Sequence, residues 1–159
     1  PIWIMLNMNK ILIILSFVLL ASCSPSADVT TRDIVSREGV NYERDSQTPF
    51  SGSAGRDNWL GGFSKDIYSY GKKISSETYS VNDNLVVKTS WKDGKMDGLQ
   101  EHHYDSGKLK VRRIWEGGKL HGLWEYYYEG GEMISQTCYK NGEEVQMSLD
   151  RLCYAILSE

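Results

Sequence analysis

Seven turn centres, at residues 71, 83, 94, 107, 118, 131 and 142, recur along this chain at intervals of 11 to 13 residues. That interval accommodates one strand between turns and leaves no length for a helix. Residues 91–114 (WKDGKMDGLQEHHYDSGKLKVRRI) lie without a gap over residues 115–138 (WEGGKLHGLWEYYYEGGEMISQTC). Trp91, Trp115 and Tyr139 stand 24 residues apart, and Gly94, Gly118 and Gly142 keep the same step. So do Gly98 with Gly122 and Gly107 with Gly131. Ser80 to Trp91 matches Tyr104 to Trp115, with Asp83 and Asn84 at the turn, and Tyr70-Gly71-Lys72-Lys73-Ile74 is an earlier half-unit. A repeat this short is one supersecondary unit, and its stability depends on stacking against its neighbours.

The turns carry hairpin chemistry. Asp93-Gly94, Ser106-Gly107, Gly117-Gly118, Gly130-Gly131 and Asn141-Gly142 are dipeptides that accept the positive φ of tight reversals. All 15 glycines lie beyond residue 38, within the repetitive part. Between turns the residues alternate. Leu85, Val87, Thr89 and Trp91 share one face, as do Leu109, Val111, Arg113 and Trp115. Trp124, Tyr126 and Tyr128 are expected on another face, comparable with Gln100, His102 and Tyr104 one repeat earlier. The expected fold is all-β, an antiparallel meander of hairpins stacked in one direction.

Gly94-Lys95-Met96-Asp97-Gly98-Leu99 and Gly118-Lys119-Leu120-His121-Gly122-Leu123-Trp124-Glu125-Tyr126-Tyr127, each followed by Tyr-x-x-Gly, resemble the MORN-repeat variant of bacterial envelope proteins. The stretches Arg37 to Tyr42 and Thr48 to Gly52 are similar to the lead-in of such arrays, so the resemblance covers residues 33–147. Ser53 to Asp66 fits no copy and is expected to be a divergent hairpin or an inserted loop. The resemblance implies a repeat scaffold without catalytic residues or cofactors. Many members of that family are described as antitoxins of toxin–antitoxin pairs.

The front of the chain has a separate logic. Lys10 is the one charge in residues 1–22 and precedes the apolar run Ile11 to Leu20. Ten helical residues rise about 15 Å, half the roughly 30 Å hydrocarbon thickness of a bilayer, so the run reads as a secretory signal peptide and not a span. Leu20-Ala21-Ser22-Cys23 resembles the lipobox of bacterial lipoproteins, which implies lipidation of Cys23 after cleavage before it. Met8-Asn9-Lys10 reads as the natural start, with residues 1–7 an upstream extension. Residues 23–32, small and polar through Ser24 to Thr31, are expected to be a flexible tether. Ser24 lacks the aspartate that retains enteric lipoproteins in the inner membrane, which favours the outer membrane. Without the leader, 17 basic residues face 21 acidic ones, a balance with no nucleic-acid footprint.

At the other end, Leu149, Leu152, Cys153, Ile156 and Leu157 form the apolar stripe of a short helix over residues 148–159, with Ser148 as N-cap. It is expected to cap the open end of the array. Cys138 and Cys153 are candidates for a disulfide in an oxidising compartment.

Catalytic signals are sparse. His102 and His103 are adjacent on a strand and leave opposite faces, so they do not chelate one ion together. His121 occupies the repeat position of Asp97. Glu101, Glu125 and Glu129 recur as solvated strand-edge residues. Neither a nucleophile elbow nor a phosphate loop is present in the sequence, and no metal site is expected. The candidate binding face is Trp124, Tyr126, Tyr128, Tyr104 and His102, since Trp and Tyr join a flat apolar body to a polar tip. The leading expectation is a non-catalytic envelope lipoprotein, membrane-anchored through Cys23, with a β-repeat surface for protein binding or scaffolding. The alternatives are an immunity protein that neutralises an envelope toxin and a carbohydrate-binding module on the aromatic face.

Overall fold

The computed structural model describes residues 27–59, 61–147 and 153–158. The expected signal peptide, Cys23, Ser148, Leu149 and Leu152 lie outside the described residues. No helix among the described residues is long and apolar enough to cross a membrane.

The strands are β1 (Val29–Thr30), β2 (Ile34–Arg37), β3 (Val40–Glu43), β4 (Gly52–Asp57), β5 (Phe63–Ser69), β6 (Lys72–Tyr79), β7 (Leu85–Lys92), β8 (Lys95–His103), β9 (Leu109–Glu116), β10 (Lys119–Tyr127), β11 (Met133–Lys140) and β12 (Glu143–Val145). Ten of them form one sheet in the order β1-β4-β5-β6-β7-β8-β9-β10-β11-β12. From β4 onward every neighbouring pair is antiparallel and sequential, the expected all-β meander. The segment Ser53 to Asp66 resolves as the β4–β5 hairpin.

Two kinds of turn alternate. The two-residue turns Tyr70-Gly71, Asp93-Gly94, Gly117-Gly118 and Asn141-Gly142 have positive φ at both positions, the twist that matches right-handed strands. The opposite edge has longer loops, closed by Ser80 N to Asn84 O at 2.9 Å, Tyr104 N to Lys108 O at 2.9 Å and Tyr128 N to Glu132 O at 2.9 Å. In β8 and β10 the register slips between the pairs Trp91–Met96 and Thr89–Gln100, and again between Trp115–Leu120 and Arg113–Trp124. Gly98 (φ 91°) and Gly122 (φ 127°) occupy these two bulges, which explains their 24-residue spacing.

The tether is shorter than expected. Val29 and Thr30 pair in parallel with Ala54 and Gly55, and a 3-10 turn at Thr31–Asp33 follows. Asp28 fastens this entry: its Oδ2 accepts the backbone N–H of Ser53 at 2.7 Å. β2 and β3 form their own hairpin, docked where the Asn41 N–H donates to Gly71 O at 2.9 Å and Phe50 meets Tyr68 edge-on.

The C-terminal helix α1 spans Cys153–Leu157 and lies against β10 and β11. It packs on the last strands of the array, at the end where the capping helix was expected. Cys138 and Cys153 are joined by a disulfide, with Cα atoms 5.6 Å apart. Burial is thin, as a single layer dictates, and Ala54 and Cys138 are fully enclosed.

Candidate functional site

Antiparallel register decides which side chains share a face, and here it merges two sets expected apart. Thr89 pairs with Gln100, Gln100 with Arg113, Arg113 with Trp124 and Trp124 with Thr137. Val87, His102, Val111, Tyr126 and Ser135 form the adjacent row. The Leu/Val/Trp residues of β7 and β9 therefore stand on the same face as Trp124 and Tyr126. The correction has a simple cause: residues directly opposite across an antiparallel pair point the same way.

This first face is a ladder of aromatic rings and cations. The Lys73 ammonium sits 3.7 Å from the ring centre of Trp91, whose indole N–H donates to Ser76 Oγ at 2.8 Å. The Trp115 indole N–H donates to Gln100 Oε1 at 3.3 Å. The Arg113 guanidinium lies 4.3 Å from the Trp124 ring centre. Trp124 also stacks on Tyr126 at 5.5 Å and meets Tyr139 at 5.6 Å. Cation–π contacts of this kind contribute about 0.5–1 kcal/mol at exposed sites.

Of the other proposed members, His102 keeps its place on this face, joined to Tyr126 through Val111, while Tyr104 and Tyr128 lie in loops. Tyr128 lies in the β10–β11 loop, exposed, beyond the end of the strand. Tyr104 begins the β8–β9 loop, and its hydroxyl donates to the carbonyl of Tyr127 at 2.9 Å. His102 is half-buried between Val87 and Val111. Burial first, then the charges of Arg113, Lys110 and His103, hold its imidazole below the usual 6.5.

On the second face the middle row alternates in sign: Lys65, Glu77, Lys88, Glu101, Arg112 and Glu125 pair in that order across six strands. Lys65 and Lys88 both approach Glu77 at 3.2 Å, and Arg112 approaches Glu101 at 3.4 Å and Glu125 at 3.8 Å. Glu77 also accepts the Tyr79 hydroxyl at 2.7 Å. Burial alone would raise the Glu77 pKa, but the hydrogen bonds from Tyr79, Lys88 and Lys65 outweigh it and hold the carboxyl below its usual 4.5. Glu125 is 9% exposed, so the expectation of solvated strand-edge carboxylates fails for it; Glu129 is in an exposed loop. A charged row is tolerated there because each carboxylate of the row has a cationic neighbour across a strand.

A third arrangement escaped the sequence reading. The turn glycines Gly118 and Gly142 donate their N–H groups to Met96 O at 2.9 Å and Leu120 O at 2.8 Å, one hairpin back. The preceding turn residues donate to side chains beside those carbonyls: Gly117 N to Asp97 Oδ2 at 3.0 Å and Asn141 N to His121 Nδ1 at 3.4 Å. Gly71 N to Phe50 O at 2.7 Å and Tyr70 N to Ser51 Oγ at 2.8 Å repeat the pattern at the start of the array. Ser51, Asp97 and His121 each offer this amide a side-chain acceptor, and His121 Nδ1 also lies 3.2 Å from Glu116 Oε2. His121 thereby has a packing role in hairpin stacking.

Among the described residues no three His, Cys, Asp or Glu side chains are grouped to hold a metal ion. A shallow apolar pocket of about 300 Å³ lies where α1 meets the second face, lined by Ile114, Leu123, Gln136, Met147, Tyr154 and Leu157.

Residues 96–116 and 120–141 match the MORN repeat variant, one copy each. No curated protein and no solved structure matches the chain significantly. The matched stretches begin 24 residues apart and span the strand pairs β8–β9 and β10–β11. MORN repeats serve in general as non-catalytic binding scaffolds.

Proposed function

We propose that this chain is a non-catalytic envelope lipoprotein, anchored through a lipid on Cys23 in the outer membrane, whose repeat sheet presents a protein-binding or scaffolding surface. The observation that carries the reading is the Cys138–Cys153 disulfide, which closes a 15-residue separation between β11 and α1. Such bonds persist in oxidising compartments, so the folded domain belongs where the lipobox-like leader would deliver it. The short connection from Cys23 to Ala27 then holds the sheet close to the membrane.

The first face supports a binding surface for a protein better than one for a sugar. A glycan platform needs a free ring, and the half-buried Trp124 already engages Arg113, Tyr126 and Tyr139. Neutralisation of an envelope toxin is one form of protein binding, and an adjacent toxin gene would single it out.

The test is fractionation and affinity capture from envelope extracts. The native chain is expected in the detergent-soluble membrane fraction, labelled by radioactive palmitate, with one envelope protein recovered at stoichiometric amounts. A Cys23→Ser chain is expected to lose the label and the membrane association. Equal labelling of both chains, or recovery of nothing above the Cys23→Ser control, counts against the proposal.

A further inference from the structure

Among the described residues β11 is paired on one side only for most of its length. β10 covers it from Met133 to Tyr139, whereas β12 reaches only Cys138, Tyr139 and Lys140. Among the described residues no strand pairs with the outer side of Met133 to Thr137, and Met133 and Ile134 are 47% and 48% exposed. An open edge is a row of unmet backbone donors and acceptors, and stable folds guard it with charge, proline or a cover. Met133-Ile134-Ser135-Gln136-Thr137 has no charge and no proline. The opposite end of the sheet is guarded: β1 covers Ala54 and Gly55 of β4, and Arg56 and Asp57 follow.

We propose that a second copy of this chain pairs with this edge, antiparallel about a two-fold axis through Ser135. The segment's neutrality favours a copy of itself over a charged partner. Two-fold pairing sets the segment against itself, Met133 opposite Thr137, Ile134 opposite Gln136 and Ser135 opposite its equivalent, and any charge there would meet its like nearby. The union continues the ten-stranded sheet across the axis with no new fold element. Five paired residues a side bury less than the roughly 1,000 Å² of a standing interface, so the contact is weak in dilute solution and gains from confinement in a membrane plane.

Covalent trapping suits a weak contact and does not depend on the anchor. Ser135→Cys, built on the full chain with Cys23→Ser, sets two thiols across the axis at the roughly 5 Å Cβ separation of directly opposed residues. Under mild oxidation it is expected to give a dimer joined through position 135, with Cys138–Cys153 intact. Ser106→Cys, on an exposed hairpin loop, is the random-collision control. Adding Ile134→Lys to Ser135→Cys is expected to cut the dimer yield about tenfold, because two new ammonium groups face each other near the axis. Circular dichroism and the native disulfide report whether each variant is folded. A yield at position 135 no higher than at position 106, or one that survives Ile134→Lys, overturns the proposal.

Discussion

His121 Nδ1 lies 3.4 Å from the backbone nitrogen of Asn141, as Asp97 Oδ2 lies 3.0 Å from that of Gly117 in the preceding repeat. Each hairpin thus satisfies the turn amide of the next, and what the position requires is an acceptor. His121→Asp keeps an acceptor but sets a second carboxylate near Glu116, so it is expected to lower the urea midpoint less than His121→Leu does. His121→Leu removes the acceptor and costs about 1 kcal/mol. Equal losses for the two variants would show that imidazole packing, and not hydrogen bonding, holds the turn.

Glu77 makes the fold sensitive to acid. Its folded pKa is depressed, so its contribution is present above the usual carboxylate value of 4.5 and is lost as pH falls through the lower folded value. His102 adds an earlier window: with its pKa also depressed, stability is full above 6.5 and erodes as pH falls below that value. Melting temperature recorded from pH 7 to pH 3 should fall in both windows. Glu77→Gln is expected to cost about 1–2 kcal/mol at pH 7 and to flatten the fall below 4.5. Parallel curves for the two proteins would remove Glu77 from the account.

The turn positions from 71 to 142, and with them the strands β5 to β12, are legible because hairpin dipeptides at this spacing admit one topology. The faces were read incompletely. Alternation fixes which residues of β10 go together, but the turn decides which face of β9 they join. Glu116 pairs with Lys119 across the Gly117-Gly118 turn, which already sets Trp115 beside Leu120 and, through the bulge at Gly122, Arg113 beside Trp124. The turn-capping role of Asp97 and His121 was hidden for a different reason. It joins residues 20 apart through a backbone amide, which leaves no side-chain signature at the receiving end. The pairing of Val29 and Thr30 leaves no mark in the sequence, because a two-residue parallel ladder has no periodicity to detect.

Trp124 and Arg113 tie the three strands β9, β10 and β11 together through one cation–π contact and two ring contacts. Trp124→Ala in this half-buried setting is expected to cost about 2 kcal/mol, less than for a fully buried ring. Arg113→Lys keeps the charge and loses the planar stack, for about 0.5–1 kcal/mol. Double-mutant cycles in urea give the coupling directly. If Trp124→Ala leaves stability unchanged while abolishing retention on a polysaccharide, the ring is a sugar platform and its structural role is refuted.

The disulfide ties α1 to the sheet from outside the repeat. Closing 15 residues removes loop entropy from the unfolded chain, for about 3 kcal/mol by the chain-entropy relation. Cys153→Ser is preferred to Cys138→Ser as the probe, because Cys138 is fully enclosed and its replacement also strands a hydroxyl. Cys153→Ser should lower the unfolding free energy by about that amount and speed amide exchange in α1 ahead of β5 to β9. Dithiothreitol should reproduce the loss in the native chain and have no effect on the variant. A variant as stable as the native chain, or equal acceleration of exchange throughout the sheet, would mean that α1 is held by its packing on β10 and β11 and not by the bond.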